Sequence, residues 1–426
     1  MTGAQAPTED RVRLPAKGTG REELRRMLEE ATADDVKDWE QRLAAGMTFP
    51  AGEDVVEVAK EAYLRFFKTN ALYATRFKSL ARFEREIIEM TAELLHGERA
   101  VGAITGGGTE SNLMAVKSAR DRARALHPEI TRPEMVIPAS AHPSLFKAAH
   151  YFGLKAVRTP LGEDLQLDLD AYGAAVTENT VLLVGSAPSL TLGMVEPIEE
   201  MAAIAAERDL SFHVDSCVGG YFLPFKEKLG HAVRRFDFRV PGVTTISADL
   251  HKYGYAAKGA STLLSRDPDV FNYQVFRFGA PERSDDWYVT PTMAGTRPGG
   301  AIAAAWAVMR YLGEEGYLRL VDQALQYMAR FKAGINATPG LEVMGDPAMT
   351  VFAYTSRTLD IFAVADGLEQ RGWLVTRDTW PVGAIRFMQS PGHAPYVDRY
   401  LADLAEVAEL VRRGELASAG GRAVYT

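Results

Sequence analysis

The chain has 426 residues, 47% of them hydrophobic and 24% charged, an ordinary globular composition with length enough for two domains and an arm. A formal net charge of −8 speaks against a nucleic-acid footprint or an anionic-membrane surface. A single cysteine, Cys217, excludes an intramolecular disulfide framework and any multi-cysteine metal site, so no metal is expected.

Residues 1–20, rich in Gly, Pro, Thr and charge, read as a mobile arm with no secretory core. A strongly charged helical pattern runs from Arg21 to about Leu43; its basic Arg21, Arg25 and Arg26 are interleaved with Glu22, Glu23, Glu29 and Glu30. Val55–Phe67 and Arg82–His96 place apolar residues at helical spacing, and Gly97 is a helix stop. From Val101 short apolar runs alternate with helices. Met135–Pro138, Val181–Val184, Phe212–Val214, Thr244–Ser247 and Ser261–Leu264 are the expected strands, with helices over Leu113–Leu126, Leu145–Phe152 and Ile198–Arg208 between them. That alternation predicts an α/β sandwich around a mainly parallel sheet, in which ligands gather at the carboxyl ends of the strands. A helix-rich stretch, Ala301–Ala337, leads to a smaller C-terminal α+β unit containing the candidate strand Ala384–Met388. The longest apolar stretch, Ala301–Met309, is far too short to span a membrane, and a cytoplasmic protein is expected.

Each motif follows one of the apolar runs. Thr105-Gly106-Gly107-Gly108-Thr109-Glu110-Ser111-Asn112 opens a long helix; its glycines let backbone amides close round a phosphate, with Thr109 and Ser111 as further donors. A plain glycine-rich turn with a Ser/Thr cap fits that segment equally well. Phe212-His213-Val214-Asp215-Ser216-Cys217 ends a strand on an Asp, costly to bury unless a cation such as a protonated pyridine pairs with it. A helix-capping Asp, a satisfied core His213 and a buried small Cys217 are the plainer readings. Ser247-Ala248-Asp249-Leu250-His251-Lys252-Tyr253-Gly254-Tyr255 places Lys252 where desolvation depresses its pKa, as a Schiff-base lysine needs; alone it reads as a loop lysine. Together, a phosphate cradle, then Asp215, then His251–Lys252 is the order that a fold-type I pyridoxal 5'-phosphate enzyme requires.

The segments ITGGGTESNLMAVKSARD, GSAPS, FHVDSCVGGYFLPF, ISADLHKYGYAAKGAS and TPTMAGTRPGG resemble the sphingosine-phosphate lyase branch of the group II pyridoxal phosphate decarboxylases, in order from about Asn70 to Tyr317. The resemblance implies that Lys252 holds the cofactor, that Gly108, Thr109 and His251 bind its phosphate, that His142 stacks on its ring and that Asp215 meets the ring nitrogen. It further implies a homodimer with shared active sites, with Thr296 delivered to the partner's cofactor phosphate, and gives Lys258 to a substrate phosphate. The expected organisation is an arm and helices over 1–60, a large cofactor-binding domain over 61–330 and a small domain over 331–426.

Departures fall on the substrate side. Tyr73 replaces a substrate-facing histidine, Leu192 stands for another, and Gly46-Met47-Thr48-Phe49-Pro50 lacks a family tyrosine. Arg386 stands where the lyase pattern has histidine; an arginine there suits a substrate carboxylate, and a surface-strand arginine is the alternative. The expected function is retro-aldol cleavage of a 2-amino-3-hydroxy substrate to an aldehyde and an amine. An amino-acid decarboxylase is the alternative, ahead of an aminotransferase or a non-catalytic partner protein; in either enzymatic case the substrate is a small amine or amino acid.

Overall fold

The computed structural model describes residues 12–36, 38, 41–43, 46, 48–279 and 286–418; residues 1–11 of the expected arm and Met47 lie outside the described residues. The chain divides into two compact units, Met1–Trp39 and Glu40–Thr426. In the first, the helix Arg21–Ala31 buries none of its residues and is laced by pairs of Arg25 with Glu22 and Arg26 with Glu23, at 2.5 and 2.6 Å. The helical pattern expected as far as Leu43 stops at Thr32, whose hydroxyl donates to the carbonyls of Leu28 and Glu29 and competes with the helix's own bonding.

The second unit is built on a seven-stranded sheet: β1 (Val101–Thr105), β2 (Glu134–Pro138), β3 (Lys155–Thr159), β4 (Thr180–Ser186), β5 (Ser211–Asp215), β6 (Thr245–Ala248) and β7 (Ser261–Ser265), in the spatial order β1-β7-β6-β5-β4-β2-β3. Only β7 is antiparallel to its neighbours; the other strands of this sheet run one way. The expected strands appear as β2, β4, β5, β6 and β7. β3 was not expected: it is an edge strand carrying exposed Lys155 and Arg158, so it lacks a continuous apolar run.

Strand alternation sends residues to opposite faces. Met135, Ile137, Leu182 and Val184 pack with Leu113 and Val116 of the helix Gly108–Leu126 and Leu145 of the helix Pro143–Phe152. Their alternates Val136, Leu183, Phe212, Val214 and Ile246 join Met201, Ala202 and Ala205 of the helix Ile198–Glu207 in the larger core. Each such Leu or Val contributes roughly 1.5–3 kcal/mol on burial. With Phe212 and Val214 committed to that core, His213 and Asp215 are left facing the helix Gly108–Leu126.

The segment Gly299–Ala337 comprises two helices meeting at Gly313, whose φ of 55° and ψ of −174° are non-helical. It leads to a separate antiparallel sheet ordered Leu341–Val343, Val351–Ser356, Ala384–Met388, Thr376–Asp378, which includes the expected strand. Before it, Phe276–Gly279 and Asp286–Thr290 pair as a ribbon on which Phe276, Phe278 and Val289 are exposed. Among the described residues no helix is long and apolar enough to cross a membrane, and no group of three or more His, Cys, Asp or Glu side chains could hold a metal ion.

Candidate active site

The carboxyl ends of β1, β5 and β6 open on a cavity of about 840 Å³. Its lining includes Gly107, Gly108 and Thr109 after β1, Asp215 and Cys217 at β5, and Asp249, His251 and Lys252 after β6, with His142 on the loop after β2. This is where an α/β sheet places its ligands. The glycine turn, the Asp and the lysine motif are thus brought to one site from segments far apart in sequence.

The turn admits no side chain. Gly107 has a φ of +155°, and a Cβ on it would lie 3.2 Å from His251 Cε1. A Cβ on Gly108 would lie 2.6 Å from Cys217 Sγ and 2.7 Å from Asp249 Oδ2. Gly108 also begins a helix, whose first-turn amides have no acceptor within it. Ser111 takes no part in the cavity: its hydroxyl is buried between Thr105 Oγ1 at 2.7 Å and Ser261 Oγ at 2.8 Å, tying β1 to β7.

Asp215 is buried and held on both oxygens. Oδ2 accepts from Asn112 Nδ2 at 2.9 Å; Oδ1 accepts from the Cys217 amide at 3.1 Å and lies 3.3 Å from the Ser247 oxygen. Burial raises its pKa, but His142, His213, the Cys217 thiol and Lys252 together bring it below the ordinary carboxylate value. His142 caps the helix Pro143–Phe152, and its Nδ1 accepts from the Ser144 amide at 3.1 Å, which places the ring proton on Nε2. Burial, opposed by Asp215, lowers its pKa and keeps the ring neutral. In His251, Nδ1 accepts from the Ala260 amide at 3.2 Å, so Nε2–H remains as a donor beside the cavity. Burial lowers this histidine's pKa too.

Asp249, which the sequence reading passed over, is the partner of Lys252: Oδ2 lies 2.9 Å from Nζ. The contact is an ion pair by distance, but neither Asp249 oxygen receives a well-directed hydrogen bond. The expectation of a depressed lysine pKa is corrected here. Burial does pull it down, but Asp249, with smaller help from Asp215, more than reverses this and holds Lys252 charged.

The substrate-side candidates lie elsewhere. Tyr73 is 55% exposed on a short turn and is absent from the cavity lining. Lys258 is exposed, its Nζ 3.4 Å from the His251 carbonyl and 5.0 Å from the Phe49 ring centroid. Thr296 is exposed and its hydroxyl accepts from Asn70 Nδ2 at 3.1 Å. Arg386 is buried, pairs with Asp378 at 3.1 Å and lines a separate cavity of about 380 Å³ with Arg158 and Trp380. Leu192 is buried against Met194 and Met344.

Residues 29–357 match the pyridoxal-dependent decarboxylase conserved domain. The chain belongs to this family. Sphingosine-1-phosphate lyase of Arabidopsis thaliana is 40% identical over 419 residues, 96% of this chain and 76% of that protein. Sphingosine-1-phosphate lyase 1 of Rattus norvegicus is 36% identical, over 97% of this chain and 72% of that protein. The solved structure of a sphingosine-1-phosphate lyase from Burkholderia pseudomallei superposes with a TM-score of 0.89 at 39% identity, covering 95% of this chain and 94% of that one. The chain is therefore a lyase that depends on pyridoxal phosphate. The cavity suits that cofactor: a side-chain-free turn at a helix start for a phosphate, a buried carboxylate for a ring nitrogen and a lysine for an aldehyde.

Proposed function

We propose that the enzyme cleaves a phosphorylated long-chain 2-amino-3-hydroxy substrate of the sphingosine 1-phosphate class by a retro-aldol reaction, releasing an aldehyde and a phosphorylated amine. In this reading Lys252 is the cofactor's point of attachment, Asp215 pairs with its ring nitrogen and His142 lies over its ring. Gly108, Thr109 and the Nε2–H of His251 hold its phosphate. The observation that carries the reading is the convergence of Asp215, Lys252 and the glycine turn on one cavity. When bound, the cofactor supplies an electron-poor ring that stabilises negative charge at the amine-bearing carbon.

The chain's own groups do the rest. Lys252 must shed a proton before its nitrogen can act as a nucleophile; Asp249 Oδ2, 2.9 Å from Nζ, anchors that nitrogen in the cavity and favours its charged form until it does. Asp215 stays ionised because its burial is offset by donors and neighbouring charge. Neutral His142 offers a ring face without adding a charge to the pocket. Lys258, an exposed cation next to the carbonyl of His251, is assigned to the substrate phosphate, and exposed Tyr73 to the entrance.

The enzyme acts as a homodimer in this reading, with Thr296 serving the partner's cofactor phosphate. Supporting it, Thr296 is exposed and absent from its own cavity's lining, and Met293 at that cavity's edge is exposed too. Inactive Lys252→Ala and Thr296→Ala variants, mixed and refolded together, should regain part of the activity; no recovery would argue against shared sites.

The decarboxylase alternative gains nothing from Arg386, which spends its charge on Asp378. A product assay on sphingosine 1-phosphate decides the matter. Long-chain aldehyde is expected; carbon dioxide from amino acids with no aldehyde, or a keto acid alone, would overturn the reading.

A further inference from the structure

Asn112 sits in the first turns of the helix Gly108–Leu126 and is 1% exposed. An amide has two donor hydrogens and one acceptor oxygen, and every one of these is engaged. One hydrogen goes to Asp215 Oδ2 at 2.9 Å and the other to Ser144 Oγ at 2.9 Å. Having accepted from Asn112, the Ser144 hydroxyl donates onward to His142 Nδ1 at 2.8 Å. One side chain thus reaches both groups assigned to the cofactor ring, Asp215 directly and His142 through a hydroxyl.

A side-chain amide can sit either way round, so something must choose. The oxygen of Asn112 accepts from His213 Nε2 at 3.0 Å and from Ser247 Oγ at 3.1 Å. On its far side, His213 Nδ1 lies 2.9 Å from Thr245 Oγ1, which can donate to it. His213 is wholly buried, and burial pushes its pKa down to about 4, so the ring is neutral and carries one proton. With that proton on Nε2, the Asn112 oxygen must face His213 and the NH₂ must face Asp215. With the proton on Nδ1, the amide would reverse and turn its oxygen on the Asp215 carboxylate, an acceptor against an acceptor.

We infer that Asn112, locked in orientation by the Nε2–H tautomer of His213, is the positioning residue that aims Asp215 and His142 at the cofactor ring. The inference rests on the assignment of Asp215 and His142 to that ring. Neither Asn112 nor His213 touches the reacting atoms; they act through the groups that do.

The cofactor-free protein offers a direct test. Nitrogen-15 magic-angle-spinning spectra of histidine-labelled protein, with the His213 signal assigned by its loss in His213→Phe, should show a neutral ring protonated at Nε2. A ring protonated at Nδ1 would overturn the inference. In the loaded enzyme, Asn112→Ala should weaken pyridoxal phosphate binding at least tenfold and move the visible absorption band. Ser144→Ala, which removes the hydroxyl link between Asn112 and His142 but keeps the Ser144 amide on His142 Nδ1, should have a smaller effect, and His213→Phe an intermediate one. If Asn112→Ala fails to fold, the His213→Phe and Ser144→Ala pair carries the binding test. Folded variants whose affinity stays within twofold of wild type, with the band unmoved, would sink the inference alone. Wild-type protein that takes up no cofactor would sink the assignment beneath it.

Discussion

The floor of the cavity and its surroundings are built differently. On the floor, Asp215, Asn112 and His213 are buried and, through Ser144, joined to half-buried His142 by hydrogen bonds of 2.8–3.1 Å. Away from it, Tyr73, Lys258 and Thr296 are exposed, while Arg386 is buried against Asp378 beside another cavity. The first group is completed within one chain and resists rearrangement, because any member that turned would strand a buried donor or acceptor. The second group has room to vary. The residues that depart from the lyase pattern, Tyr73, Leu192 and Arg386, all lie outside the floor. A single scaffold can therefore keep its cofactor while its substrate changes.

The contrast can be broken from the floor upward. Lys252→Ala should remove the borohydride-sensitive absorption band and lower turnover at least about 10⁴-fold, the upper range for a positioned acid–base group. Retention of both would end the assignment of that lysine. Asp215→Asn keeps the shape of the side chain but removes its charge; breaking a buried ion pair predicts roughly a 10²-fold or greater loss in turnover with bound cofactor. A loss below fivefold would mean the ring nitrogen has no partner there.

Glu196 tests the buried shell next to the floor. It is buried, accepting from Ser140 Oγ at 2.6 Å and the Ser186 amide at 2.7 Å, and burial raises its pKa to about 7. Because the folded value lies above the unfolded one, its favourable contribution is complete below about pH 4.5 and is lost as pH rises through 7. Glu196→Gln should therefore gain stability relative to wild type as pH rises from 5 to 8, by up to about 3 kcal/mol. Parallel denaturation curves for the two proteins across that range would contradict this. Lys258→Ala probes the outer group and should have the smallest effect, raising KM about tenfold for phosphorylated substrates only, the scale of one charge-assisted hydrogen bond. An equal rise for an unphosphorylated amine would take Lys258 out of substrate recognition.

Much of the floor is legible in the sequence because strands impose it. A run of apolar residues ending in Asp215 or leading to Lys252 marks a strand's carboxyl end, and period-two alternation puts His213 on the same face as Asp215. Asn112 is not legible in that way. Its partners Asp215 and His213 are 103 and 101 residues distant, and a polar side chain in a helix reads as solvated until the sheet behind it is known. Asp249 stands in plain view in the lysine motif, yet its approach to Lys252 depends on how the chain turns after β6. The same limit applies to Arg386: Asp378 lies on the neighbouring strand, where Thr376 is in register with Arg386.

The place of β1 in the sheet has a consequence for synthesis. β1 pairs with β7, Val101 against Ser265 and Thr105 against Ser261. As the chain leaves the ribosome, the glycine turn that follows β1 emerges early, but its supporting strand comes only after Asp215 and Lys252 have been made. No nascent chain shorter than about Ser265 can complete the strand pairing that backs the glycine turn.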